Sequence, residues 1–258
     1  MTKYALLIGI NYTGTFSALR GCENDVVDVK KVILGWGFPE SNITFMTEKQ
    51  KGGLYPNAYN ITYQLNKLCS TLKLGDQAVF YYSGHGTRIK DTDGDEASGY
   101  DSCIVPIDFR SVGVISDTTI KYYINKIPLG ANLFCVFDSC NSGTVCDLKY
   151  NLFDTSYRKD ITTKLKNFNY NDWVRNQMVT VDTKQMDTVA DVISLTGCKD
   201  DQYSYELGRN GALTTALLKT IATYSKGGKP TLQLQHVLQN VRGIIRTTRL
   251  PQAPQLMT

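Results

Sequence analysis

The sequence is short of long apolar runs. Its opening, MTKYALLIGI, is apolar only over the six residues Ala5 to Ile10, before polar Asn11. That is too brief for a signal-peptide core or a membrane span, and no small-residue cleavage site follows. A buried first strand, cytoplasmic residence and no membrane partner are the expectations. Zinc and redox cysteine patterns are also missing. The seven cysteines, at 22, 69, 103, 135, 140, 146 and 198, form no CxxC pair, which argues against a zinc ribbon or a thioredoxin-like site. Seven is odd, so disulfides cannot pair them all within one chain, and a reduced compartment is the simplest expectation. There is no block of lysine and arginine. With 28 basic and 24 acidic residues the formal charge is only +4, so nucleic acid is not expected as a partner. Histidine is scarce: only His85 and His236 occur.

What is present fits one globular domain over residues 1–258, with 42% hydrophobic and 20% charged residues. Strand-like apolar runs alternate with helix-like stretches, the pattern of a parallel sheet flanked by helices. The strands expected are Tyr4–Ile10, Ile43–Met46, Gln77–Ser83, Leu133–Asp138 and Asp191–Thr196. The helices expected are Asn24–Gly35, Asn60–Leu74, Asp117–Lys126, Leu213–Tyr224 and Thr231–Arg246. The third and fourth strands run directly into YYSGHG and FDSCNSG, which places both motifs at one end of the sheet, where open α/β folds bind ligands. The polar, weakly periodic stretch 149–187 is too long for an ordinary connection and reads as a linker that is either functional or mobile.

Those two motifs carry the chemistry. His85 is bracketed by Gly84 and Gly86 just after a strand, so a substrate backbone can pass close to the imidazole. Cys140 lies in a polar turn of small residues, where backbone N–H groups can stabilise an oxyanion. A nucleophilic thiol needs a base, and one cysteine with one distant histidine is the minimal set. Cys69, Cys103, Cys135 and Cys198, in apolar or strand contexts, are expected to be buried and inert. Asp138, two residues before Cys140, points to the same side if the chain is extended there. Asp25 opens the first helix; it is either a first-turn acid favoured by the helix dipole or half of a carboxylate pair for a cationic substrate side chain. The run Asp91 to Glu96 fails the EF-hand loop, with Glu96 at its sixth position, and reads as an acidic hairpin.

Taken in order, ALLIGINY, LRGCENDV, YYSGHGT, DTDGDEASGYDSCIVPIDF, ISDTTI, FDSCNSGT and PQAPQLM resemble the metacaspases, caspase-like cysteine peptidases, over nearly the whole chain. The histidine–cysteine interval is 55 residues, against about 50 in caspases. The resemblance implies the caspase–hemoglobinase α/β fold, with a mostly parallel central sheet flanked by helices. It implies a His85–Cys140 dyad; backbone donors near Gly86 and Cys140 are the candidates for the oxyanion hole. Asp25 and Asp138 would line an acidic pocket together with Ser83 and Cys22. The expected partners are proteins or peptides cut after Arg or Lys, and the expected state is a monomer. The resemblance also implies calcium activation through Asp101, Asp117 and Asp147. Self-cleavage is expected in the linker, which holds Lys149, Arg158, Lys159, Lys164, Lys166, Arg175 and Lys184.

Three departures stand out. Asn141 replaces the histidine that often follows the nucleophile. Thr118 replaces the second of two consecutive aspartates, removing a carboxylate from the metal set. The sequence opens almost at its first strand, and no proline-rich or zinc-finger prodomain is expected. Two rival readings follow: a catalytically silent caspase-like binding module, and a legumain-like peptidase preferring asparagine. The paired carboxylates suit a cation better than a neutral amide.

Overall fold

The computed structural model describes residues 1–91, 99–140, 142–146, 148, 150–152, 178–180, 190–199, 202–226 and 234–258. Its centre is an eight-stranded sheet. In chain order the strands are β1 (Lys3–Gly9), β2 (Ile43–Thr47), β3 (Gln77–Ser83), β7 (Asn132–Asp138), β8 (Tyr150–Leu152), β9 (Met178–Thr180), β10 (Asp191–Thr196) and β13 (Gln255–Met257). They lie in the order β2-β1-β3-β7-β10-β13-β8-β9. The first five run parallel, and the last three add antiparallel pairings at one edge. The expected bounds hold for β3 and β10 and are off by a residue or so at the other three parallel strands.

Strand periodicity explains the two layers. In β1, Leu6 and Ile8 join one apolar cluster while Ala5 and Leu7 join the other. In β3, Ala78, Phe80 and Tyr82 face the first cluster, and Val79 and Tyr81 the second. Strands buried on both faces read as continuous apolar runs, as these do. Helix α1 (Cys22–Gly35) lays Val26, Val29 and Ile33 on the second face, beside α5 (Ala212–Lys226) and α6 (Leu234–Thr247). Helix α2 (Ala58–Thr71) lays Ile61, Leu65 and Leu68 on the first, beside α4 (Asp117–Ile124). The strand order reverses between β1 and β3, so their carboxyl ends border a crevice. Gly9 lets α1 close over it: a Cβ there would lie 2.5 Å from the Cys22 carbonyl oxygen.

Other bounds shift for local reasons. Helix α2 begins earlier than its periodicity because the Asn57 side chain accepts the Asn60 N–H at 2.8 Å, capping the first turn. A second sheet of β4 (Gly86–Lys90), β5 (Tyr100–Ile104) and β6 (Ile115–Ser116) was not expected; its strands are too short for periodicity. The short helix α3 (Phe109–Val112), two 3-10 turns at Glu40–Asn42 and Gly52–Leu54, and the two-residue strands β11 (Glu206–Leu207) and β12 (Asn210–Gly211) complete the described elements. The acidic stretch does join a hairpin: β4 and β5 are antiparallel, and Asp91 N–H reaches the Gly99 carbonyl at 3.0 Å. Residues 92–98, which hold the rest of that acidic run, lie outside the described residues. Of the 149–187 stretch, β8 and β9 are described, so part of it is sheet edge and not linker. Lys149, Arg158, Lys159, Lys164, Lys166, Arg175 and Lys184 lie outside the described residues, as does Asn141.

Candidate active site

The register of β3 and β7 brings the two motifs together. Ser83 pairs with Asp138, and His85 and Cys140 each follow two residues later. The fit at this point is close: a Cβ on Gly86 would collide with the Cys140 carbonyl oxygen, so only glycine allows β4 to start beside the Cys140 turn. Six of the seven cysteines are buried, and Cys140 alone is partly exposed. Burial pushes the Cys140 thiol up, the Ser204 backbone N–H pulls it down in part, and the Asp138 carboxylate pushes it up again. That N–H donates to Cys140 Sγ at 3.3 Å, and the thiol faces the Ser204 carbonyl at 3.7 Å.

His85 is held from the other side. Its Nε2 lies 2.6 Å from the Ser17 carbonyl oxygen. A carbonyl only accepts, so Nε2 carries a proton and Nδ1 is the nitrogen left to act as a base in the neutral ring. The arrangement fits a base oriented by a third group. Among the described residues the imidazole meets Ser17 and the thiol meets Ser204; the structure shows no direct hydrogen bond between them.

Near the thiol lies a pair of buried carboxylates. Asp25 is wholly buried, and Asp138 is nearly so. Asp25 accepts the Ser83 hydroxyl at 2.7 Å and the Gly211 N–H at 3.0 Å. Asp138 accepts the Ser204 hydroxyl at 2.7 Å, the Thr214 N–H at 2.9 Å and the Thr214 hydroxyl at 2.8 Å. Gly211 packs so tightly on the Asp138 carboxylate that a Cβ there would overlap it. Asp25 is pushed up to about 8, first by burial and then by the charge of Asp138. Burial raises Asp138 as well. Cys22, at the start of α1, is raised by burial and touches Ser83, with Asp25, Asp138 and Glu206 adding negative charge around it. All four pocket residues expected from sequence therefore meet in one place.

A family model described as the metacaspase, peptidase C14 domain matches residues 3–149, more than half the chain. The chain belongs to the metacaspase family. It is 32% identical to metacaspase-1 of Scheffersomyces stipitis, over 98% of this chain and 70% of that protein. Identity to metacaspase-2 of Arabidopsis thaliana is 35%, over 85% of this chain and 52% of that protein. Among solved structures, a Geobacter sulfurreducens protein matches with a TM-score of 0.66 and 25% identity, covering 100% of this chain and 93% of that one. Caspase-1 of Spodoptera frugiperda matches with a TM-score of 0.53 at 12% identity, covering 99% and 86%, which shows the caspase-like fold. The chain is thus a caspase-like cysteine peptidase acting on protein substrates.

Of the metal ligands expected in this metacaspase, Asp101 on β5 and Asp117 at the start of α4 are both buried. They flank Ser102, whose N–H donates to Asp117 Oδ2 at 2.6 Å. Asp117 Oδ1 accepts the Thr118 N–H at 2.8 Å. Buried carboxylates are the oxygen ligands that a hard cation prefers. Asp147 lies outside the described residues, and among those described no group of three or more His, Cys, Asp or Glu gathers as a metal site. The Ser102 hydroxyl sits 3.0 Å from the Thr144 hydroxyl, tying this corner to the segment after Cys140. Among the described residues no helix is long and apolar enough to cross a membrane.

Sequence reasoning missed Ser204, Thr214 and Glu206. Glu206 Oε1 accepts the Arg20 and Gly21 N–H groups at 2.7 and 2.6 Å, fixing the loop before α1. These residues sit in short strands, turns and a helix start with no motif of their own. Ser17 acts through its main chain, which leaves no signature in a side chain.

Proposed function

We propose that this metacaspase cleaves peptide bonds after arginine or lysine, with Cys140 as nucleophile and His85 as its acid–base partner. The observation that carries the reading is the buried Asp25–Asp138 pair beside the thiol. Its repulsion is relieved by a cation and by no neutral side chain. His85 Nδ1 takes the thiol proton, and the Cys140 thiolate attacks the scissile carbonyl. Backbone N–H groups of Gly86 and Cys140 receive the oxyanion. The tetrahedral intermediate collapses to a thioester as the protonated imidazole gives its proton to the leaving amine. Water, deprotonated by His85, then releases the acid product and restores the thiol.

Calcium is inferred as the activator, held by Asp101 and Asp117 with Asp147. When bound it supplies positive charge that offsets the repulsion between these carboxylates. Cleavage within the 149–187 stretch, at its lysines and arginines, belongs to the same reading, as do a monomeric state and residence in the cytoplasm.

The test is hydrolysis of a fluorogenic Arg-P1 peptide against an Asp-P1 control, from chelator to millimolar calcium. Arg-directed cleavage that rises with calcium supports both parts. Arg cleavage indifferent to calcium retires the metal. Cleavage of neither peptide points to the silent binding module instead.

The pocket also sets a pH dependence. Below about pH 8 the carboxylate pair holds a proton on Asp25. A cation entering the pocket expels that proton, so binding strengthens as pH rises. The inhibition constant of benzamidine, charged throughout, should fall by up to about tenfold per pH unit below 8 and level off above it. A flat profile from pH 6 to 9 would contradict a shared proton.

A further inference from the structure

Tyr12 is an anomaly in its backbone. It is wholly buried, yet its φ is +53°, in the left-handed region that a bulky L-residue rarely enters. Such outliers persist where the surroundings over-determine them, and here they do. The Tyr12 hydroxyl donates to the Val105 carbonyl at 2.6 Å and accepts the His85 backbone N–H at 3.0 Å. Its ring lies 4.6 Å from the His85 imidazole, tilted by 38°. Tyr82, also wholly buried, donates to the His85 carbonyl at 2.7 Å, and its hydroxyl is 3.1 Å from that of Tyr12. Burial raises both phenols well away from ionisation, so each keeps its proton to donate. The main chain of His85 is thus gripped at both its N–H and its C=O by two tyrosine hydroxyls. The imidazole rests on the ring of one of them, while Ser17 takes Nε2.

We propose that Tyr12 is a positioning residue for His85: its hydroxyl fixes the histidine main chain and its ring sets the plane of the imidazole. Tyr82 supports the same grip from the carbonyl side. The proposal rests on the Cys140–His85 reading above. Its physical content is that, between flanking Gly84 and Gly86, the imidazole is held by the Ser17 main-chain oxygen and by the Tyr12 ring, which limits its rotation. A ring on one face of a cation also favours the imidazolium formed when the thiol ionises. A small misplacement of an acid–base group costs on the order of a hundredfold in rate.

The experiment compares Tyr12→Phe, Tyr12→Leu and Tyr82→Phe with the wild-type chain. The kcat and KM for an Arg-P1 peptide are taken per titrated active site, and the rate of iodoacetamide alkylation of Cys140 is read by mass spectrometry. Tyr12→Phe keeps the ring and should lower kcat by about tenfold; Tyr12→Leu should lower it by about a hundredfold. In both, KM should stay within about twofold, because the Asp25–Asp138 pocket is untouched. Alkylation should slow in the same order, with phenylalanine recovering most of what leucine loses. A per-site kcat for Tyr12→Leu within about twofold of wild type overturns the proposal, as does a parallel shift of kcat and KM. If Tyr12→Leu fails to fold, Tyr12→Phe and Tyr82→Phe decide the matter by the same kcat-only loss. Should the wild type cleave no Arg peptide, the specificity reading fails alone. Tyr12 is then judged on alkylation, where an unchanged rate in Tyr12→Phe and Tyr12→Leu would count against it.

Discussion

Replacing Cys140 with alanine is expected to lower turnover of an Arg-P1 peptide by about 10⁴-fold or more, to the level of buffer. The Cys140→Ala chain should keep its fold, because the side chain is partly exposed and its contacts run to the backbone of Ser204. His85→Ala should lose about 10³–10⁴-fold, since burial keeps the Cys140 thiol protonated and the neighbouring Asp138 charge opposes its ionisation. The two losses should not add, because nucleophile and base act as one unit. The double variant should be about as inactive as Cys140→Ala alone. The other cysteines are buried, and Cys69 and Cys103 are both pushed up to about 12 by burial, so none supplies a substitute thiolate. Appreciable cleavage by purified Cys140→Ala would move the nucleophile elsewhere.

Asp25→Asn is expected to change activity and stability in opposite directions. A buried carboxylate that pairs a substrate guanidinium is worth a few kcal/mol, so kcat/KM for Arg-P1 should fall by about a hundredfold or more. The sign of the stability change follows from proton linkage. Asp25 ionises at about 8 in the folded chain, well above the ordinary aspartate value, because it is buried beside Asp138. Between roughly pH 4 and 8 the unfolded chain therefore binds fewer protons at this site, and stability falls as pH rises through that window. Asparagine carries no charge in either state and removes that fall. At pH 8 the variant should be more stable than wild type by on the order of 1–3 kcal/mol, with the gap shrinking towards pH 4. Thermal melts at the two pH values check this, and a variant less stable at pH 8 than at pH 4, relative to wild type, would contradict it. On the proposed reading, the Asp25–Asp138 pair weakens the fold as pH rises towards 8 and binds the cationic side chain of the substrate.

Much of this arrangement was legible from particular residues. Gln77–Ser83 is apolar on both faces and ends in Ser-Gly-His-Gly, so strand and motif could be read together. The same holds for Asn132–Asp138 and Cys140, and the parallel register then fixes their juxtaposition. Asp25 was ambiguous between helix-dipole acid and pocket residue, and its complete burial facing Gly211 and Ser83 favours the pocket. What escaped was made of short or main-chain elements. Ser204 and Glu206 sit around a two-residue strand that no periodicity can reveal. Ser17 contributes a carbonyl, and every residue has one. Tyr12 lies within a quoted motif, but its left-handed backbone and its grip on His85 depend on Val105 and Tyr82 from distant segments. The three-stranded sheet beside Gly86 was missed because β4 mixes exposed and half-buried residues without alternation.

The most direct test of the central claim is covalent labelling with a peptidyl arginine chloromethylketone, read by mass spectrometry after digestion. The reagent needs a cation pocket to dock and an activated thiol to react. One adduct on Cys140, slowed strongly in both His85→Ala and Asp25→Asn, is the expected result. Labelling spread over other cysteines, or an adduct on Cys140 indifferent to both substitutions, would contradict the dyad and its acidic pocket together.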